Sequence, residues 1–255
     1  MAGRLQDKVT IVTGAAGYLG QAYAVRFGQE AAKVVVADRA DCTEVAAKVR
    51  ATGAEVLEVK VDVTDEESTQ DMAKQVVARF GRIDCLLNNA GLFRGPGMDA
   101  RPLLDVDMDA FRRTLDVNVT GIFLCIRAVF PYMRDEGGGK IINISSGTWL
   151  HTSRGVSATP HYVASKAAVM GLTRAVAKEL GTHKINVNTL APGGMGSLTP
   201  PGQQAPMTQQ RDSGRALQRP PVPEDLTGTA VFLFSDDSDW VTGQMIVVNG
   251  GMEVY

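Results

Sequence analysis

The chain has 255 residues, 44% hydrophobic and 21% charged, which suits one α/β domain with a substantial core. A net charge of −2 without a basic block argues against nucleic acid or an anionic membrane as a partner. Cys42, Cys85 and Cys125 are scattered, and no His/Cys/Asp cluster has ligand spacing, so neither a disulfide framework nor a metal site is expected. The opening Met-Ala-Gly-Arg-Leu-Gln-Asp-Lys lacks the apolar run of a signal peptide and no stretch reads as a membrane span. The expectation is a cytoplasmic protein.

Val9–Val12 reads as a first strand. It runs into Thr13-Gly14-Ala-Ala-Gly17-Tyr18-Leu19-Gly20 and a helix over Leu19–Gln29. Glycines there permit a tight turn and close approach of the backbone to a pyrophosphate. The helix N-terminus adds unpaired N–H groups and a positive dipole end. Gly14, Gly17, Tyr18, Leu19 and Gly20 are therefore candidates for phosphate binding. A second strand, Lys33–Ala37, ends at Asp38. An acid about twenty residues past the glycines hydrogen-bonds the ribose hydroxyls of NAD and repels the phosphate of NADP. The adjacent Arg39 can bind that phosphate, but Asp38 favours NAD. Asp38 could instead cap the next helix, a job for which Asp41 is better placed.

The alternation continues: helix Cys42–Thr52, strand Val56–Val61, helix Asp65–Phe80, strand Cys85–Leu87, helix Asp107–Arg134, strand Ile141–Ile144, helix Pro160–Leu180, strand Ile185–Leu190, helix Pro223–Phe234 and strand Met245–Val248. The strand runs are continuous rather than alternating, as in strands covered on both faces. This predicts a single-domain, doubly wound parallel sheet, a Rossmann fold. The stretch 192–223 is rich in Pro, Gly and Gln and too long for an ordinary turn, so a substrate lid is expected over about 193–222.

The segment Tyr162-Val-Ala-Ser-Lys166 opens a helix after the strand that ends at Ser146. Residues four apart share a helix face, so the phenol and the ammonium can enter one site. A free tyrosine titrates near ~10. A cation ~4 Å away contributes roughly 4 kcal/mol at an effective dielectric of ~20, about three pKa units before desolvation opposes it. Such a tyrosine can exchange a proton with an alcohol or ketone.

Together these residues resemble the short-chain dehydrogenase/reductase family, in its short single-domain branch, over essentially the whole chain. The matching elements are the Gly-rich turn, Asp62-Val63, Asn88-Asn89-Ala90-Gly91, Asn118, Ser146, Tyr162 with Lys166, and Pro192-Gly193. The resemblance implies that Tyr162 is the general acid/base and that Lys166 lowers its pKa and holds the nicotinamide ribose. It implies that Ser146 hydrogen-bonds the substrate oxygen and that Asn118 keeps a water in a proton relay. Asp62 and Val63 would contact adenine, Asn89, Ala90 and Gly91 line the cofactor, and Pro192, Gly193 and Met195 lie by the nicotinamide. Ser145 competes with Ser146, but the family pattern favours the second serine, and residues one apart on a strand face opposite ways. Three positions depart from the pattern: Tyr18 stands in the place of the middle glycine, Ser197 where a threonine often binds the carboxamide, and Asn249 for an aspartate, which reads as structural.

The stretch between Ser146 and Tyr162 is longer than is common in the branch and carries Trp149, His151, Arg154 and His161. Trp149 reads as an apolar wall of the substrate pocket or as a packed surface residue. Arg154 reads as a carboxylate ligand or as a solvated arginine, and the two histidines read as polar rim. The chain is loosely similar to dehydrogenases of secondary alcohols of the 1-phenylethanol type, and a homotetramer built on the helices Asp107–Arg134 and Pro160–Leu180 is implied. The reading is an NAD-dependent oxidoreductase interconverting a small-molecule secondary alcohol and a ketone. Its rivals are an NADPH-dependent 3-oxoacyl carrier-protein reductase, opposed by Asp38, and a non-catalytic dinucleotide sensor, opposed by the presence of all four catalytic positions.

Overall fold

Seven Val- and Ile-rich segments form strands: β1 (Val9–Thr13), β2 (Lys33–Asp38), β3 (Val56–Lys60), β4 (Cys85–Asn88), β5 (Gly139–Ile144), β6 (Ile185–Pro192) and β7 (Met245–Val248). The computed structural model describes residues 3–93, 103–150, 159–194 and 215–252. All seven strands pair in parallel in one sheet, in the order β3-β2-β1-β4-β5-β6-β7. The order reverses between β1 and β4. Crossovers leave these two strands toward opposite faces, which opens a crevice at their C-terminal ends.

The helices are α1 (Tyr18–Gln29), α2 (Thr43–Arg50), α3 (Glu66–Phe80), α4 (Met108–Leu115), α5 (Gly121–Asp135), α6 (Pro160–Leu180) and α7 (Glu224–Phe234). On one face α1, α2 and α7 bury Tyr23, Phe27, Val45, Val49 and Phe234 against the sheet, and the Phe27 and Phe234 rings lie 5.3 Å apart. On the other, α3, α5 and α6 bury Met72, Val76, Cys125, Val129 and Val176. Each large apolar side chain taken out of water contributes roughly 1.5–3 kcal/mol. Both faces are thus covered, which is why the strands carry continuous apolar runs. The three cysteines are free and buried, and burial pushes the Cys85 and Cys125 thiols up to about 12.

Helix ends follow local chemistry. Asp65 caps α3 by accepting from the Glu67 and Ser68 amides, and Gly81, at φ +83°, closes it. Asp107 caps α4 in the same way. The expected single helix over Asp107–Arg134 differs in one respect: Asp116–Thr120 forms a wider π turn between α4 and α5. Its centre, Asn118, is fully buried and bonded to other elements, and those tertiary bonds replace part of the local ladder. Within the span Met108–Asp135 the most apolar 18-residue window has a mean hydropathy of 1.3, enough by length and composition to cross a membrane; half of that window is buried within the protein, as in a core helix. Most of the stretch expected to form a lid, residues 195–214, lies outside the described residues.

Candidate active site

The C-terminal ends of the central strands open on a cleft of about 950 Å³. Its lining brings together Gly14, Gly17, Tyr18, Leu19 and Gly20 with Asp38, Arg39, Asp62, Val63, Asn89, Ala90 and Gly91. At the far end it adds Ser146, Tyr162, Lys166, Pro192 and Gly193. Asn118 is buried behind this lining. Four of the expected residues, Met195, Ser197, His151 and Arg154, fall outside the described residues.

At the phosphate end the glycines divide by necessity. Gly14 has φ +65°, and a Cβ there would come 2.7 Å from Ala90 Cα. A Cβ on Gly20 would overlap the Gly14 carbonyl oxygen, whereas one on Gly17 would meet only that oxygen, at 3.3 Å. Tyr18 begins α1 with ordinary backbone angles and turns its ring outward, 41% exposed. The turn therefore accommodates tyrosine where the resemblance led one to expect glycine.

Beneath the turn, the Thr13 hydroxyl accepts from the Asn89 and Ala90 amides (both 3.1 Å) and donates to the Leu87 carbonyl. The Asn89 side-chain amide donates to the carbonyls of Thr13 (3.0 Å) and Gly14 (3.1 Å). Asn89 thus ties β4 to the turn as well as lining the cleft. Thr13 was missed in the sequence because a hydroxyl beside a glycine gives no sign of what it will cross-link.

The N-cap of α1 is Gly17, which offers no side-chain cap, and the first turn carries no acid. Its leading N–H groups are left for an anion. With the cleft's length and its two flanking acids, these residues fit a nicotinamide dinucleotide. The Asp38 carboxylate accepts from the Ala16 and Ala40 amides, both at 3.0 Å, which fixes it against the turn. The next helix is served by Asp41, which accepts from the Thr43 amide and hydroxyl. Asp62 is held below the usual carboxylate range, first by the Thr64 amide, then by the Thr64 hydroxyl, with Arg39 adding to the effect.

At the far end the two serines differ. The Ser145 hydroxyl donates to the Lys166 carbonyl (2.6 Å) and accepts from Trp149 Nε1 (3.2 Å). Ser146 accepts from the Thr148 hydroxyl at 3.1 Å, and its hydroxyl acts on the Tyr162 phenol, opposing the effect of burial there. Ser146 is therefore the serine coupled to the phenol. Trp149, anchored on Ser145, stands beside the cleft lining rather than in it; Thr148 and Phe93 line it instead. Neither was singled out in the sequence, because the loops after β4 and β5 have no periodicity to say which side chain turns inward. His161 is buried, and its ring nitrogens have no hydrogen-bond partner among the described residues.

Lys166 is buried, and its Nζ donates to the Ile144 carbonyl at 2.8 Å, 5.8 Å from the centre of the Tyr162 ring. Burial pushes this ammonium down to about 8. Burial also lifts the Tyr162 phenol above the ordinary tyrosine range, and the Ser146 hydroxyl opposes the rise. The expected acidification is thus outweighed by desolvation, which penalises either charge by itself. A phenolate beside an ammonium is neutral as a pair, so each charge forms more easily in the other's presence. Asn118 accepts from the Leu92 amide (2.6 Å) and donates to the Leu92 carbonyl (3.0 Å) and to Ser165 (2.9 Å). Its side chain is fully engaged in bracing the loop after β4 against α6.

A family model described as Enoyl-(Acyl carrier protein) reductase matches residues 14–253. An uncharacterized oxidoreductase of Mycobacterium tuberculosis is 41% identical over 249 residues, covering 96% of this chain and 97% of the relative. The (2S)-[(R)-hydroxy(phenyl)methyl]succinyl-CoA dehydrogenase subunit BbsD of Thauera aromatica is 39% identical, with 98% of both chains covered. The crystal structure of a short-chain type dehydrogenase/reductase from Mycobacterium marinum superposes with a TM-score of 0.86 at 32% identity, covering 98% of this chain and 97% of the other.

The chain belongs to the short-chain dehydrogenase/reductase family. It is an oxidoreductase of that family, whose members use NAD or NADP. In this dehydrogenase/reductase the cleft at the switch point joins the dinucleotide end and the Ser146–Tyr162–Lys166 cluster in one continuous space.

Proposed function

We propose that the protein is an NAD-dependent dehydrogenase that interconverts a secondary alcohol and a ketone, with Tyr162 as general acid/base. The observation that carries this reading is that Ser146, Tyr162 and Lys166 line one end of the cleft whose other end is the Gly-rich turn, with Lys166 held on the Ile144 carbonyl. The hydroxy(phenyl)methyl group in the name of the Thauera relative is itself a secondary alcohol.

Gly14, Gly17 and Gly20 with the α1 N-terminus would hold the pyrophosphate, Asp38 the adenosine ribose, Asp62 and Val63 the adenine side, and Asn89–Gly91 with Pro192 and Gly193 the nicotinamide half. Met195 and Ser197 are proposed to complete that half. A nicotinamide held there would supply the hydride acceptor or donor for the carbinol carbon. Ser146 fixes the substrate oxygen by a hydrogen bond, Tyr162 takes its proton in oxidation and returns it in reduction, and Lys166 balances the phenolate charge. Asn118 is proposed to support the proton path behind Lys166, and Trp149, His151 and Arg154 to flank the substrate. Asp38, pinned by two amides, supports NAD over NADP; Arg39 is the residue that favours NADP. The enzyme is proposed to work in the cytoplasm as a homotetramer, with a lid over about 193–222.

The test is Tyr162→Phe. It should lower kcat by about 10³-fold or more with a panel of secondary alcohols, the scale of a lost general base. NADH affinity, read by fluorescence titration, should stay within about threefold, and wild-type protein should bind NADH more tightly than NADPH. A Phe variant of wild-type activity would refute the mechanism.

A further inference from the structure

The geometry points to Phe93 as the residue that selects the substrate, favouring secondary alcohols whose carbinol carbon bears an aryl or branched apolar group. This rests on the dehydrogenase reading above and deepens it. Phe93 follows the Asn-Asn-Ala-Gly turn after β4 and lines the cleft. Its ring centre lies 6.3 Å from that of Tyr162, inclined by 58°, and the residue remains 38% exposed. A flat apolar face is thus offered beside the Tyr162 ring.

The ring stands on a fixed base. Asn118 takes both backbone polar groups of Leu92, the residue immediately before it, and Asn118 is itself fully buried and tied to Ser165. A side chain presented from a braced backbone loses little freedom on contact with a ligand, so its face discriminates by shape rather than by adapting.

Among the described residues, Lys166 donates to the Ile144 carbonyl and Arg215 to that of Gly194, and both are 4% exposed. Ser145, Ser146 and Thr148 add hydroxyls to the lining, and Arg113 and Asp116 add charges to it. Stacked or tilted aromatic contact is the recognition the Phe93 ring can supply.

The experiment compares kcat/KM of wild type, Phe93→Ala and Phe93→Leu for 1-phenylethanol, 2-propanol and 3-hydroxybutyrate with NAD, alongside NADH affinity. Wild type should prefer 1-phenylethanol. Phe93→Ala should lose at least about 10-fold on it, in the range that one pocket contact contributes to discrimination. Its rate on 2-propanol should change less than about threefold, with NADH binding unchanged. Phe93→Leu keeps the bulk without the ring and reads the same ratio should the alanine variant bind NADH poorly. Equal losses on both neutral alcohols, no loss on 1-phenylethanol, or a wild-type preference for 3-hydroxybutyrate overturns the assignment to Phe93 and leaves the dehydrogenase standing. Absence of wild-type turnover on all three alcohols, with NADH still bound, overturns the dehydrogenase reading itself.

Discussion

Lys166 and Tyr162 sit four residues apart on α6, a spacing that puts them on one side of the helix, yet burial makes each unwilling to carry its charge. This has a measurable consequence. The ammonium titrates at about 8 in the folded protein, below the ordinary lysine value of 10.5. Between these limits the unfolded chain binds a proton at this lysine that the folded chain does not, so the Lys166 contribution to stability rises with pH from about 8 upward. Below pH 8 the cost of burying the charge is present in full. The gain by pH 10 should be about 3 kcal/mol, two pKa units of linkage. Denaturation by urea between pH 7.5 and 10 should show wild type gaining this much relative to Lys166→Met, because the buried thiols, which oppose the rise, are common to both proteins. Parallel profiles for the two proteins would mean that Lys166 is not desolvated in solution.

Among the elements, the turn between β1 and α1 and the π turn between α4 and α5 do the most to shape the site. Three glycines mark the first turn, but only two of them lack room for a methyl group. Gly20→Ala should force the Gly14 carbonyl aside, costing about 1–3 kcal/mol of stability, the scale of overpacking. NADH affinity should fall by at least about 10-fold, since 1.4 kcal/mol is a factor of ten. Gly17→Ala meets a single atom at 3.3 Å and should change the melting temperature and the NADH titration little. Equal damage from both substitutions would count against this division. The glycine spacing and the helix that follows were legible because both are local patterns. The π turn was not, since Asp107–Arg134 reads as an unbroken apolar periodicity. What breaks it is the pull of Leu92 and Ser165 on the buried Asn118, and both lie far from it along the chain.

At the scale of the whole molecule, the sheet order places six strand ends around one cleft while two helical layers cover the faces. One of those layers is not closed. The long helical span Met108–Asp135 is only half buried over its most apolar window and leaves Met108 and Phe123 52% and 42% exposed. Apolar surface of this kind is what an obligate subunit interface covers. Light scattering at micromolar concentration should therefore give the mass of four chains, and Phe123→Glu should shift it toward smaller species. A wild-type monomer would contradict the assembly.

The amino-acid order by itself determined the alternation of strands and helices, the Gly-rich turn after β1, the acid at the end of β2 and the Tyr-x-x-x-Lys pair. Each is written in a spacing of a few residues, over which backbone geometry alone dictates who faces whom. Only the tertiary structure decided that Ser145 is occupied while Ser146 meets Tyr162. The same holds for Thr13 and Asn89 stitching β4 to the Gly-rich turn, for Phe93 facing the phenol, and for desolvation outweighing the attraction between Tyr162 and Lys166. Those outcomes depend on what the crossovers bring together and how much water is excluded there. Burial and long-range contact belong to the packed sheet and its helices, and no local stretch of the chain encodes them.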